Sequence, residues 1–363
     1  MPTDAAAATE PALDIASVRI LRLAFGTAAC LWFSQAVAWN LSFIAPVMTM
    51  LVLAMPMPAP RLRMGVALVA ALVLAFAAGL FVLPRLLYQP MVGFLLLGLM
   101  LYWSFYIPAK GGPAAAGTLL TMGLAFSTAI GTVSVDAILL VVKGVVYAAM
   151  AGIAFVWIAH AVLPDSLAGA SPAGPASAPP PAAGASPADA RWSALRSLVI
   201  VLPVGLWFLL SGASYAYAPV MIKVATMGQQ ASGEGTRAAG RSLVLSTIIG
   251  GGGAIIGWQV LRVAPTLAVY TLVVAAAGLI AGRRIFRGAG MAPDAQTWSY
   301  GLLTMLVILA PAVMDSAFGA TAGAKFADRL IMFLLATLYA VGAVYVVDAF
   351  RPRMTRKRRD AVR

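Results

Sequence analysis

The chain has 363 residues, of which 62% are hydrophobic and only 10% charged, and its mean hydropathy is +0.93. Soluble domains are about 45–50% apolar and about 25% charged, so a soluble globular protein is excluded and a polytopic membrane protein expected. One cysteine, Cys30, and one histidine, His160, rule out a disulfide framework, a cysteine zinc site and a histidine-based catalytic triad.

Residues 1–18 read as a cytoplasmic segment. They are acidic and lack a basic run before an apolar core, so no cleavable signal peptide is expected. Six hydrophobic segments follow at 20–39, 41–56, 65–84, 88–107, 113–131 and 135–163, within a first membrane unit at 19–163. Segment 41–56 is short for a span of roughly 17–25 residues, so it is tilted, broken or re-entrant. It carries Pro46, which either kinks the segment or shapes a packed helix. Arg61 and Arg63 follow it, as topogenic charges or as a vestibule that concentrates anions. The aromatic run YWSFYIP at 102–108 reads as an interfacial belt, or as a stacking surface for an aromatic substrate.

The last segment of this unit holds Lys143, about 12 Å from its outer start at 1.5 Å per residue. A cation at such depth faces a cavity, packs against a partner or snorkels. Asp136 begins the same segment and complements the helix dipole there.

Residues 164–191 are rich in Pro, Ala, Gly and Ser and form a cytoplasmic linker. A second membrane unit, 192–350, supplies segments at 195–212, 214–228, 242–262, 265–281, 298–314 and 328–349. The short segment 214–228 carries Pro219 and Lys223. Lys223 lies near its cytoplasmic end, as an anion contact or as a snorkelling side chain. Arg237 and Arg241 occupy the loop equivalent to Arg61 and Arg63. Gly253 and Gly257 form a GxxxG that favours close helix contact. Asp315, Asp328 and Asp348 lie at span ends and read as dipole-complementing acids. A basic tail, 351–363, closes the chain.

Motifs recur in order between the halves. Leu31-Trp32-Phe33 returns as Leu206-Trp207-Phe208, Ala45-Pro46-Val47-Met48 as Ala218-Pro219-Val220-Met221, and Leu119-Leu120-Thr121-Met122 as Leu302-Leu303-Thr304-Met305. Ordered matches with slowly drifting offsets indicate two parallel six-span repeats. Lys143 and Lys223 have no charged twin at the matching positions, Leu335 and Met50. With the N-terminus inside, 19 of the 25 Lys and Arg fall on the cytoplasmic side, which places both termini there. The expectation is therefore all-α, about twelve spans, in a bacterial inner membrane. The basic balance is topogenic, so nucleic acid is not an expected partner.

The stretch RLAFGTAACLWFSQAVAWNLSFIAPVMTMLVLAMPMP resembles the fusaric acid resistance superfamily, which includes bacterial aromatic acid exporters, and GTRAAGRSLVLSTIIGGGGAIIG is similar to its Arg-rich loop and Gly-rich span. The chain departs from that pattern by having the linker in place of a large cytoplasmic domain. The resemblance implies efflux of organic, often aromatic, anions with a periplasmic adaptor of the membrane-fusion type. The resulting expectation is a secondary exporter of small organic anions, driven by membrane potential, a proton gradient or both. Lys143 and Lys223 would hold the anion, and Pro46 and Pro219 would shape the path. Expected partners are the substrate anion, the bilayer, the adaptor and further copies of the chain. No catalytic residue, metal or cofactor is expected. A passive anion channel and a non-transporting scaffold for envelope assembly are the alternatives.

Overall fold

The computed structural model describes residues 14–39, 41–112, 114–131, 135–167, 186–210, 227–228, 236–316 and 322–350. These residues form eleven α-helices and one two-stranded hairpin. The first set is α1 (Ile15–Val37), α2 (Ile44–Leu53), α3 (Leu62–Tyr88), α4 (Pro90–Ala109), α5 (Ala114–Gly131) and α6 (Val135–Val162). The second is α7 (Pro187–Leu210), α8 (Thr236–Val263), α9 (Leu267–Ile285), α10 (Ala295–Ser316) and α11 (Ala322–Ala349). Strands β1 (Phe286–Arg287) and β2 (Gly290–Met291) pair antiparallel between α9 and α10, turning through Gly288 at φ 56°. Helix α7 begins earlier than its apolar run, taking up the end of the expected linker. Segment 214–228, with Pro219 and Lys223, lies outside the described residues except for its last two.

Eight of the described helices are long and apolar enough to cross a membrane. Their outward sides are apolar too: Leu95 is 75% exposed and Leu74 68%. Such surfaces suit a lipid solvent, in which helices satisfy their own backbone groups. With no hydrophobic force between helices in lipid, close packing must come from small residues and hydroxyls. That is how α3 meets α5: Gly79 and Gly123 lie at the crossing, and Ser127 Oγ donates to Gly123 O at 2.6 Å and Phe76 O at 3.2 Å. Helix α8 meets α10 in the same way. A Cβ at Gly253 would stand 3.0 Å from Met305 Sδ, and one at Gly257 2.9 Å from Leu309 Cδ2.

Two Arg–Asp pairs close the helix sets. Arg22 on α1 donates to Leu163 O and to Asp165 Oδ1, just past α6. Arg196 on α7 donates to Asp348 Oδ2 at 2.8 Å, in the last turn of α11. Asp348 was expected to complement a helix dipole. It sits instead at a helix C-terminus, where the dipole opposes a negative charge, and Arg196 and Trp192 Nε1 stabilise it there.

Candidate functional site: a helical hairpin with a short second helix

Helix α2 has ten residues, about 15 Å at 1.5 Å per residue, half of the roughly 30 Å hydrocarbon core. It does not span, and its neighbours fix its depth. Arg22 reaches the end of α6, and a Cβ at Gly26 would lie 2.9 Å from Ala159 Cβ, so α1 climbs antiparallel to α6. Helix α2 then descends beside α6, its Thr49 Oγ1 donating to Ala45 O at 3.0 Å and Gly152 O at 3.1 Å. Gly152 permits the approach: a Cβ there would stand 3.0 Å from Met48 Cβ and 3.1 Å from Ala45 O. The start of α2 meets Leu72 and Phe76 of α3. Arg63 and Arg85 bracket the apolar stretch of α3 about 33 Å apart, so Leu72 and Phe76 lie near its middle. The chain therefore runs along α1, reverses within the length of its neighbours α3 and α6, and returns along α2. Non-helical backbone within the hydrocarbon region is tolerated only inside protein or along a water-filled cavity.

The described residues at the reversal are Ala38, Trp39, Leu41, Ser42 and Phe43. Ala38 ends α1 at φ 54°, its N–H donating to Ser34 O at 3.0 Å, and Leu41 has φ 61°. Leu41, Ser42 and Phe43 are buried. Ser42 Oγ accepts from Gln35 Nε2 at 3.3 Å, and Phe33 stands between Trp39 and Phe155 with centroids 6.2 and 5.4 Å away. Pro46 is the third residue of α2. It was weighed as a kink, but its missing N–H falls in the first turn, where no intrahelical partner exists, so it starts the helix without bending it.

Beside this first turn lies a small apolar cleft of about 10 Å³, room for one water at most, lined by Ile44, Val47, Met48, Leu72, Phe76, Met122 and Val145. Below it, the extended stretch after α2 is held to α6. Trp157 Nε1 donates to Pro60 O at 2.7 Å, and His160 Nε2 lies 3.5 Å from Met57 O. Arg61 and Arg63 are exposed at its end.

Lys143 is not in this cleft. It lies on the exposed side of α6 with Leu139, Leu140, Tyr147 and Met150, whereas Val145, two residues on, faces inward. Arg241 is exposed at the start of α8, and the side chain of Arg237 lies outside the description. Of the predicted path residues, Lys143 and Pro46 lie on different sides of this helix set, and Pro219 and Lys223 lie outside the described residues. Tyr102 and Tyr106 stack at 5.9 Å with Trp103 edge-on to Tyr106 at 5.4 Å, so these rings satisfy one another at the end of α4.

Comparison with known proteins falls on the same region. Residues 19–159 match a family described as a protein of unknown function (DUF2955). No curated protein and no solved structure matches the chain. The matched stretch runs from α1 into α6 and so contains the hairpin, the cleft and Lys143.

Among the described residues no cluster of His, Cys, Asp or Glu has the makings of a metal site. The polar groups inside the first helix set are hydroxyls, one thiol, amides, indoles, the imidazole of His160 and the buried guanidinium of Arg22, which is paired with Asp165. That chemistry binds and orients.

Proposed function

We propose that the chain is a secondary carrier exporting small amphipathic organic anions across a bacterial inner membrane, with the α1–α2 hairpin and its cleft as the substrate site. The observation that carries this reading is the reversal of the chain into a helix too short to span, packed on α6 beside an apolar cleft. Discontinuous helices at the midplane are how carriers expose binding groups without exposing a whole helix to lipid. The cleft is closed to about 10 Å³ in this conformation, so α2 would shift outward for it to take the apolar body of the substrate. The N-terminal end of α2, with its partial positive charge, would favour a negative group nearby. Exposed Arg61 and Arg63 would raise anion concentration at the cytoplasmic mouth.

The proposed architecture is two parallel six-helix repeats with both termini cytoplasmic. Its support is that α3–α5 and α8–α10 pack alike, and that each set has an Arg–Asp pair from its first helix to the end of its last. Segment 214–228 would supply the twelfth helix, the counterpart of α2. The resemblance to the fusaric acid resistance superfamily supports the export direction and a periplasmic adaptor as partner. In this reading Lys143 acts outside the cleft, drawing the anion along the outer half of α6, and Lys223 is a further anion contact in segment 214–228.

The test is flux in proteoliposomes, with 2-naphthoate as probe. Saturable uptake with counterflow is expected, and filling the cleft with Val47→Trp should abolish it. Flux without counterflow would make the protein a channel, and no flux of this or related acids would remove the carrier reading.

A further inference from the structure

We propose that the hairpin tip recognises a carboxylate through uncharged donors, led by Trp39 Nε1, and not through a lysine. This rests on the hairpin being the substrate site. The indole nitrogen of Trp39 is buried and has no hydrogen-bond partner. An indole N–H can only donate, and buried donors are paired in the great majority of cases.

Its backbone setting is equally unusual. Two non-glycine residues flank it at positive φ, Ala38 and Leu41, a conformation that costs energy and persists where the surroundings impose it. The ring is held against Phe33, which in turn meets Phe155. The tip therefore presents a rigid donor beside aromatic surface.

Ser42 supplies a second donor. Its Oγ accepts from Gln35, so its own hydrogen remains to give. The backbone of the first turn contributes none. Ile44 N donates to Leu41 O at 2.9 Å, Ala45 N to Ser42 O at 3.2 Å, and Pro46 has no N–H. Recognition at the tip thus falls to side chains. No described Lys or Arg lines the cleft. A carboxylate suits such a set because a charged acceptor makes the stronger hydrogen bond with a neutral donor, and the dipole of α2 has the matching sign.

The test is equilibrium binding to the full-length protein in nanodiscs. The probes are 2-naphthoate and its uncharged counterpart 2-methylnaphthalene. Trp39→Phe keeps a ring and removes the N–H. It should weaken naphthoate binding about tenfold, as the loss of one charge-assisted bond predicts, and leave methylnaphthalene binding unchanged. Ser42→Ala should show the same selective loss and serves if Trp39→Phe fails to fold. Lys143→Met should bind both probes as the wild type does. The proposal is overturned if Trp39→Phe and Ser42→Ala bind naphthoate normally, if they lose both probes equally, or if only Lys143→Met loses naphthoate. Selective binding without flux in proteoliposomes would leave the tip site standing and remove the carrier reading. A wild type that binds neither probe would remove both.

Discussion

Arg196 and Asp348 lie 152 positions apart and meet at 2.8 Å, with side chains only 7% and 11% exposed. Trp192 Nε1 adds a second donor to the same carboxylate at 3.3 Å. Breaking a buried pair from one side strands the other charge, at a cost of about 3–5 kcal/mol. Asp348→Asn or Arg196→Met should therefore sharply lower the thermal midpoint in detergent. The double variant Arg196→Met with Asp348→Leu should recover most of the loss, because no charge is then left uncompensated. Equal destabilisation in the double variant would show that packing, not charge pairing, holds α7 to α11.

The first-set pair behaves differently. Arg22 is 4% exposed but Asp165 is 49% exposed, so water screens that carboxylate. Arg22 also holds Leu163 O through both Nε and Nη2. Asp165→Asn should cost little, about 0–1 kcal/mol as for surface pairs, while Arg22→Met should cost more because it also frees a carbonyl. Matched thermal scans of the two variants check the ordering, and a reversed ordering would refute it.

How α2 is seated yields a third expectation. Thr49 reaches Gly152 O, and a side chain at Gly152 would press on Met48 and on Ala45 O. Gly152→Ala should be partly tolerated by small shifts, whereas Gly152→Leu should force α2 off α6 and abolish flux of 2-naphthoate. Overpacking of this kind costs typically about 1–3 kcal/mol. Normal flux through Gly152→Leu would mean that this contact does not position the hairpin.

Much of this geometry is legible in the sequence, and the rest is hidden for physical reasons. The brevity of segment 41–56 marks a helix too short to span, and the small residues of α8 mark a close crossing. What Pro46 does depends on where α2 begins, which no local signal in SFIAPVM fixes. Arg22 and Arg196 read as topogenic charges because their partners are 143 and 152 positions away. A sharper signal was available: both arginines sit inside apolar helices, and an acid follows or ends the last span of each set. The face that Lys143 occupies is also hidden. Helix α6 is apolar all round, so periodicity does not separate its packed side from its exposed one. Trp39 carries no signal of its own in the sequence, because an indole beside a turn looks like an interfacial anchor until its missing hydrogen-bond partner is seen.

Lys143 gives the last expectation. The sequence marks it as a cation written into a span, and the structure sets it on the side of α6 away from the cleft, in a stripe with Leu140, Tyr147 and Met150. Nothing packs over an exposed side chain, so Lys143→Met should leave the thermal midpoint within about 0.5 kcal/mol of the wild type. If the lysine draws the anion along the outer half of α6, the variant should lower the maximal flux of 2-naphthoate severalfold without changing the concentration that half-saturates the cleft. Lys143→Arg should retain flux, because it keeps the charge. Should Lys143→Met carry the anion at the wild-type rate, the lysine is a snorkelling side chain near the outer leaflet and has no part in the path. A raised half-saturation concentration would instead bring the lysine into the binding step. That would require α6 to rotate so that position 143 faces the hairpin, a change that cross-linking between cysteines placed at positions 143 and 47 would detect.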